Sequence, residues 1–269
     1  MTSERVKVRF PSGGLTCAAL AIDYRHLGES DGEPRQITPF AQQREDLRNA
    51  IAFAGTLPDV DPDKVAIWGF SASAGHVFGV AADRPDLAAA IAHAPLADGL
   101  AAFPNALRHQ APLAGLRFFA RAFLDAAGRR LGRAPLLVPL AGPRGTVTSL
   151  TTPDAQTGAE ALNPNNRYPA WRQEVAAGSA LAAGFYRPGR HAARVACPLL
   201  VLVSDDDGVA PPSAAVAAGS RAPRGEVAHV PGGHYAAFLD QHEATVAILL
   251  AFLERHLLGA PAPATAAVA

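Results

Sequence analysis

The segment 65–75, Val-Ala-Ile-Trp-Gly-Phe-Ser-Ala-Ser-Ala-Gly, constrains the fold of this chain more than any other part of it. Its first half is an almost wholly apolar run, which is typical of a strand buried on both faces of a sheet. The residues directly after this run are small and compatible with a helix. The sequence therefore predicts that a buried strand runs directly into a helix and that Ser71 stands at the corner between them.

A corner this tight has room only for small residues two positions before and two positions after the serine, because larger side chains would meet neighbouring backbone. Gly69 and Ser73 occupy these positions. The Ser71 hydroxyl would then stand clear of the sheet, at a helix N-terminus that favours developing negative charge. Ser73, flanked by Ser71 and Gly75, is the alternative nucleophile, but it lies further into the helix. An ordinary turn rich in Ser and Ala is the structural alternative.

Apolar runs that read as strands alternate with segments that read as helices over most of the chain. This alternation predicts an α/β fold, with a mostly parallel sheet flanked by helices on both faces. The predicted strands are 6–10, 15–24, 65–70, the run ending at 93, 198–203 and 226–230, and the predicted helices are 38–54, 74–82, one after 203 and 243–256. Thr38 is expected to cap the first helix, and Pro39 to occupy its first turn.

The alternation stops near residue 98 and resumes near residue 195. We therefore divide the chain into a core of residues 1–97 and 195–259, a helical cap insertion of residues 98–194, and an Ala/Pro-rich tail of residues 260–269 that is expected to be disordered. The insertion contains one clear amphipathic helix, near 116–131, whose charged side is expected to be a solvated face rather than a site for an acidic substrate. Its apolar stripe is Leu116, Phe119, Ala120, Phe123, Leu124, Ala127 and Leu131, with Arg117, Arg121, Asp125 and Arg129 opposite.

A serine nucleophile needs a base, and the base needs a carboxylate that orients it. The apolar run 199–203 leads into three aspartates, at the C-terminal edge where catalytic groups collect in parallel sheets. The next strand leads into Gly232-Gly233-His234, a glycine-rich loop at the same edge. The order serine, acid, histidine is typical of hydrolases with this corner. The candidate acids are Asp205, Asp206 and Asp207, and the candidate base is His234; the other histidines considered are His26, His76, His93, His229 and His242, which lack this order or setting.

Composition argues against several classes of function. Lys+Arg and Asp+Glu are both 24, so the net charge gives no attraction to nucleic acid or to an anionic membrane. Two cysteines, Cys17 and Cys197, cannot form a disulfide framework, and both are expected to be buried thiols. No zinc spacing, phosphate loop, signal peptide or membrane-spanning run is recognisable, so we expect no metal, no cofactor and a cytoplasmic location. The oligomeric state is left open.

Several segments resemble bacterial α/β-hydrolases related to dienelactone hydrolases and acyl-peptidase-like esterases. They are residues 22–30, 68–76, 203–212 and 232–235, and the part of the insertion around 186–190 is similar to the same family. The resemblance implies the α/β-hydrolase fold and a catalytic triad. In the family's pattern the last of the consecutive aspartates is the triad acid, which maps to Asp207, with Ser71 as the nucleophile and His234 as the base.

The same resemblance reveals a departure. Members of the family normally have another strand, ending in a His-Gly loop, before the segment that matches residues 22–30. That loop supplies one of two backbone N–H donors of the oxyanion hole, and the other comes from the residue after the nucleophile, here Ala72. In this chain Ala19 runs directly into Leu20, and no His-Gly pair occurs before Ser71. The resemblance therefore implies that one core strand is missing.

Together these observations predict a serine hydrolase that cleaves an ester of a small molecule, in preference to an amide, through an acyl-Ser71 intermediate. The absent loop predicts a weakened oxyanion hole. The alternative from another class is a catalytically weak or inactive relative that retains the pocket and binds a small ligand. An acyltransferase or lyase on the same scaffold is a third reading.

Overall fold

The computed structural model describes residues 3–9 and 16–259, and the tail predicted to be disordered, 260–269, lies outside the described residues. The strands are β1 (Ser3–Arg9), β2 (Thr16–Ile22), β3 (Ala66–Phe70), β4 (Ala89–His93), β5 (Leu137–Pro139), β6 (Glu174–Ala176), β7 (Leu199–Ser204) and β8 (Gly225–Val230). The α-helices are α1 (Phe40–Ala54), α2 (Ala72–Ala82), α3 (Gly99–His109), α4 (Pro112–Arg130), α5 (Pro153–Leu162), α6 (Ala177–Ala183), α7 (Pro212–Arg221) and α8 (His242–Leu257). Short 3-10 turns lie at Pro62–Lys64, Pro164–Asn166, Pro188–Arg194 and Ala236–Phe238.

The main sheet consists of parallel strands in the order β3-β4-β7-β8. Ala66 lies opposite Ala89, and Ala90 lies opposite Leu199. Every residue of β4 and β7 is buried, as expected of strands that are covered on both faces. The predicted α/β fold with a mostly parallel sheet is confirmed.

Helices cover both faces of this sheet. On one face α1, α2 and α7 pack over the strands, and Phe78 and Val201 belong to the buried cluster there. On the other face, Phe252 of α8 packs with Ile91 and Leu200. Because the strands are parallel, their carboxyl ends lie along one edge, where the loops that follow β3, β7 and β8 meet.

A gap interrupts the core beside the first strand of the main sheet. The hairpin of β1 and β2 is a separate antiparallel sheet, and within the described residues β2 pairs only with β1, and β3 only with β4. A cavity of about 680 Å³, which we call the edge cleft, is lined by residues 17–22, residues 65–68 and apolar side chains of α1 and α8. Within the described residues, β2 and β3 therefore each have one edge without a partner strand, and both line the edge cleft.

Residues 98–194, which we call the cap segment, add α3 to α6 and the short antiparallel pair of β5 and β6. The described part of this segment contributes no strand to the main sheet. Helix α4 packs on α6, and Ala122, Val138, Val175 and Ala177 form a small core of their own.

The orientation of α4 reverses the sequence prediction. The stripe expected to be buried is largely exposed: Leu116, Phe123 and Leu124 are 64 to 67% exposed. The packed side instead carries small residues such as Ala114, Gly115 and Ala122, together with Asp125. The carboxylate of Asp125 is satisfied there, since it accepts hydrogen bonds from the backbone N–H groups of Leu136 and Gly178 and pairs with Arg129.

Three smaller expectations also need correction. Helix α1 begins at Phe40, and Pro39 rather than Thr38 occupies its N-cap position. The backbone N–H of Thr38 donates instead to Ser179 Oγ in the cap segment, at 3.1 Å. Cys197 is buried as expected, but Cys17 is only half-buried and lines the edge cleft.

No helix within residues 16–259 is long and apolar enough to cross a membrane.

Candidate active site

Ser71 lies at the corner between β3 and α2, as the sequence predicted. Its backbone has φ 57° and ψ −119°, which is a strained conformation for a residue other than glycine. Gly69 permits the turn, because a Cβ at that position would lie 2.6 Å from the backbone oxygen of Ser73. The carbonyl of Ser71 accepts hydrogen bonds from Gly75 N and Leu96 N, and its N–H donates to His93 O. Three backbone hydrogen bonds therefore stabilise the strained corner.

The structure brings Ser71, His234 and Asp207 together in one hydrogen-bonded chain. His234 Nε2 lies 2.9 Å from Ser71 Oγ, and His234 Nδ1 lies 2.7 Å from Asp207 Oδ2. The side chains of His234 and Asp207 are each only 1% exposed, whereas Ser71 is half-buried and accessible. Both distances lie in the range required of a nucleophile, its base and the base's orienting group.

Asp207 is the only one of the three consecutive aspartates that reaches the histidine. Its second oxygen, Oδ1, accepts hydrogen bonds from Val209 N at 2.8 Å and Ala210 N at 2.7 Å, which fix the carboxylate in the loop after β7. Asp205 is exposed and contacts His229 instead, and Asp206 is also exposed.

A fourth residue, which was not predicted from the sequence, connects the two loops that carry Asp207 and His234. Asp154, in the first turn of α5 in the cap segment, accepts hydrogen bonds at Oδ2 from Gly208 N (2.8 Å) and His234 N (3.1 Å). Burial alone would raise the pKa of Asp154, but the Thr152 side chain, these two N–H groups and the nearby His234 ring together outweigh it and the pKa is lowered. A Cβ on Gly208 or Gly233 would lie 2.7 Å from an atom of Asp154, so both glycines allow its close approach.

Helix α2 begins directly after Ser71. Ala72 is the first residue of α2, so its N–H has no partner within the helix and is available to a ligand oxygen. Ser73 Oγ lies 2.6 Å from the hydroxyl oxygen of Tyr24, and both residues line the edge cleft. Burial raises the pKa of Tyr24, which keeps its hydroxyl protonated. The edge cleft thus reaches the first turn of α2, two residues after Ser71.

The remaining histidines lie outside this chain of contacts. Buried His76 bonds to the hydroxyl of Tyr186 and to Gln43, and burial lowers its pKa to about 3. His93 stacks on Phe238 below the site, and burial together with the nearby His234 lowers its pKa to about 4. Neither ring nitrogen of His93 has a hydrogen-bond partner within residues 16–259. His26 bonds to Gln42, and His242 contacts Glu243.

No group of three or more His, Cys, Asp or Glu side chains that could hold a metal ion occurs among the residues that the structure describes.

The fold and the site define an α/β-hydrolase enzyme. The family model described as serine aminopeptidase, S33 (Hydrolase_4), matches residues 15–241, and the chain belongs to this family. It is 37% identical over 249 residues to the quorum-quenching protein AidA of Acinetobacter baumannii, covering 92% of this chain and 79% of that protein. It is 35% identical to the polyketide transferase grgF of a Penicillium species, covering 51% of this chain and 43% of that protein. The crystal structure of the α/β-hydrolase GrgF from Penicillium sp. sh18 superposes with a TM-score of 0.68 at 23% identity, covering 92% of this chain and 82% of that one.

Proposed function

We propose that the chain is a serine hydrolase that cleaves an ester of a small molecule through an acyl-Ser71 intermediate. The observation that carries this proposal is the hydrogen-bonded chain of Ser71, His234 and Asp207, in which the histidine is buried and the serine is accessible. An ester is preferred over an amide because its leaving group departs more readily, so it demands less of a site with a reduced oxyanion hole.

In the proposed reaction Ser71 Oγ attacks the carbonyl carbon of the ester while its proton passes to His234 Nε2. The carbon–oxygen bond to the leaving group then breaks, and His234 returns the proton to the departing alkoxide. A water molecule, deprotonated by His234, then attacks the acyl carbon. The bond from that carbon to Ser71 Oγ breaks, and His234 returns the proton to Oγ, which releases the acid and regenerates the serine. Asp207 holds the imidazole and stabilises its charged form, and the N–H of Ala72 faces the oxyanion.

The edge cleft supports the second half of the proposal, that this activity is weak. It lies where the family's additional strand and its His-Gly loop are expected, and Ala72 is the one backbone donor that we assign. Loss of one oxyanion donor typically costs about 2.7–4 kcal/mol of transition-state stabilisation, or 10²–10³ in turnover. We therefore expect Ser71 to react with activated probes while ordinary esters are turned over slowly.

The first test is hydrolysis of a short-chain p-nitrophenyl ester by the wild type and by Ser71→Ala. We expect slow turnover that Ser71→Ala abolishes. Equal rates in both proteins would favour the alternative, an α/β-hydrolase-like protein that binds a small ligand without cleaving it.

A second test restores the missing part. A variant with a strand and a His-Gly loop inserted after Ala19 should turn over the ester about 10²-fold faster than the wild type and melt at a higher temperature. An insertion of the same length made only of Gly and Ser is the control. If the wild type is already monomeric, melts cooperatively and matches the restored variant in turnover, the site is not impaired.

Acyl transfer to an acceptor other than water is a second candidate, favoured by the relative that is named a polyketide transferase. The acyl-Ser71 intermediate is common to both reactions, and only the second nucleophile differs. Adding an alcohol to the ester assay separates them, because a transferase forms the new ester faster than the free acid.

A further inference from the structure

The cap segment presents an apolar surface that the rest of the described chain leaves uncovered. We call this surface the cap face and define it by seven side chains that are 41 to 67% exposed. They are Leu100, Phe103 and Leu107 of α3 and Leu113, Leu116, Phe123 and Leu124 of α4. Soluble monomers rarely expose so many large apolar side chains together, so the cap face indicates a binding surface.

Within each helix, the residues of the cap face lie on one side. Leu100, Phe103 and Leu107 recur at steps of three and four residues, which places them on one side of α3. In α4 the steps from Leu113 to Leu116 and from Leu116 to Phe123 are three and seven residues, and Leu124 adjoins Phe123 on the same side. The rings of Phe103 and Phe119, with centroids 6.1 Å apart, join α3 to α4. The opposite sides of both helices are already engaged: Asn105 Nδ2 donates to Gly208 O at 2.6 Å, and Asp125 packs towards α6.

The charge around the cap face has one sign. Residues 99–136 contain six arginines and one acidic residue, Asp125, although the whole chain is neutral. Asp125 is buried and pairs with Arg129, so it does not offset the other arginines at the surface. By the helical repeat, Arg117 and Arg121 flank the stripe of α4 on one side and Arg130 flanks it on the other. Arg117 and Arg130 are exposed and form no ion pair with any residue in 16–259.

We propose that the cap face binds the surface of a lipid bilayer that contains anionic phospholipids. A helix with Phe and Leu on one side and arginines along its borders lies in the bilayer interface, with the apolar side chains in the acyl region and the arginines at the headgroups. Because the whole chain is neutral, its net charge does not indicate this local excess of arginines. A second copy of the chain is a poorer occupant, because two faces bordered by arginines repel each other.

The test is cosedimentation of the full-length protein with vesicles, one set of pure phosphatidylcholine and the other with one third phosphatidylglycerol. The wild type should bind the anionic vesicles more tightly than the neutral ones. Leu116→Ser/Phe123→Ser/Leu124→Ser should reduce binding by at least about tenfold, since the exposed apolar area supplies the affinity. Arg117→Gln/Arg130→Gln should remove most of the preference for anionic vesicles. All variants change exposed side chains, and circular dichroism melts check that they fold.

Phe53→Ser provides the matched control, because Phe53 is also an exposed aromatic residue, 45% exposed, but lies on α1 outside the cap face. Its binding should equal that of the wild type. The proposal is overturned if the wild type stays in the supernatant, if Phe53→Ser loses as much binding as the triple variant, or if neutral and anionic vesicles bind equally. It is also overturned if light scattering shows a dimer that the triple variant separates and the dimer does not bind vesicles. None of these readouts depends on ester hydrolysis.

Discussion

Removing the carboxylate of Asp154 should uncouple the two loops that hold the acid and the base. This carboxylate accepts one hydrogen bond from the loop after β7, at Gly208 N, and one from the loop after β8, at His234 N. A hydrogen bond to a charged group contributes about 1.5–3 kcal/mol, so Asp154→Ala can cost up to about 6 kcal/mol if both N–H groups remain unpaired. Water entering the space left by the side chain will recover part of this, and we expect a loss of about 3 kcal/mol in unfolding free energy.

The loss of turnover follows from geometry. Without Asp154 the backbone of His234 loses one of its anchors, and displacement of a catalytic group by about 1 Å costs about 10²-fold in rate. We therefore expect kcat to fall about 10²-fold in Asp154→Ala with little change in KM. Asp154→Asn, which keeps an oxygen acceptor without the charge, should lie between Asp154→Ala and the wild type.

The assay is hydrolysis of an activated ester by each variant, combined with urea unfolding. Glu160→Ala is the matched control, because Glu160 lies on the same helix α5 but is exposed and bonds to Gln156 rather than to the loops after β7 and β8. It should behave as the wild type in both measurements. Wild-type turnover in a folded Asp154→Ala protein would refute the inference that the cap segment positions the histidine.

Two further predictions concern the other ionisable groups of the site and core. Asp207→Asn should lower turnover by up to about 10⁴-fold, while Asp205→Asn and Asp206→Asn should be at least tenfold milder; an equal loss in a folded variant of either would identify a different acid. The second prediction concerns buried His76 and His93, whose pKa values are lowered to about 3 and about 4. Below about pH 6.5 these histidines bind protons in the unfolded chain but not in the folded one, so the free energy of unfolding falls as the pH falls. When the pH falls from 7 to 5, each of the two histidines should lower the free energy of unfolding by about 2 kcal/mol. His93→Phe, which removes a ring without polar partners, should halve the slope measured by urea unfolding, and a pH-independent wild type would contradict the argument.

The strand-to-helix corner could be predicted because it depends on local sequence. An apolar run, a glycine at the crowded position and a serine after it determine the turn, whatever lies elsewhere in the chain. The same holds for the aspartate and histidine loops, since each follows a strand whose position in the sheet is given by its apolar pattern. The missing core strand that the family resemblance implies stays a prediction; the structure shows the edge cleft beside β2 and β3.

The orientation of α4 and the role of Asp154 could not be predicted in this way. Periodicity shows that a helix has an apolar side but not whether that side meets the protein. In α4 the small residues Gly115 and Ala122 allow close packing on α6, and Asp125 accepts hydrogen bonds from backbone N–H groups more than ten residues away in sequence. Asp154 accepts hydrogen bonds from backbone N–H groups, and such contacts correspond to no sequence motif. The local sequence shows only an acidic residue in the first turn of a helix.

The central claim is that Ser71 is the nucleophile, and covalent labelling with a fluorophosphonate probe tests it most directly. Intact mass should show one label per chain, and peptide mapping should place it on Ser71. Ser71→Ala should not be labelled, and it should lose turnover by a factor on the order of 10⁶. Ser73→Ala, which removes only the hydroxyl that bonds to Tyr24, should still be labelled. Label on Ser73, or unchanged labelling of Ser71→Ala, would contradict the account.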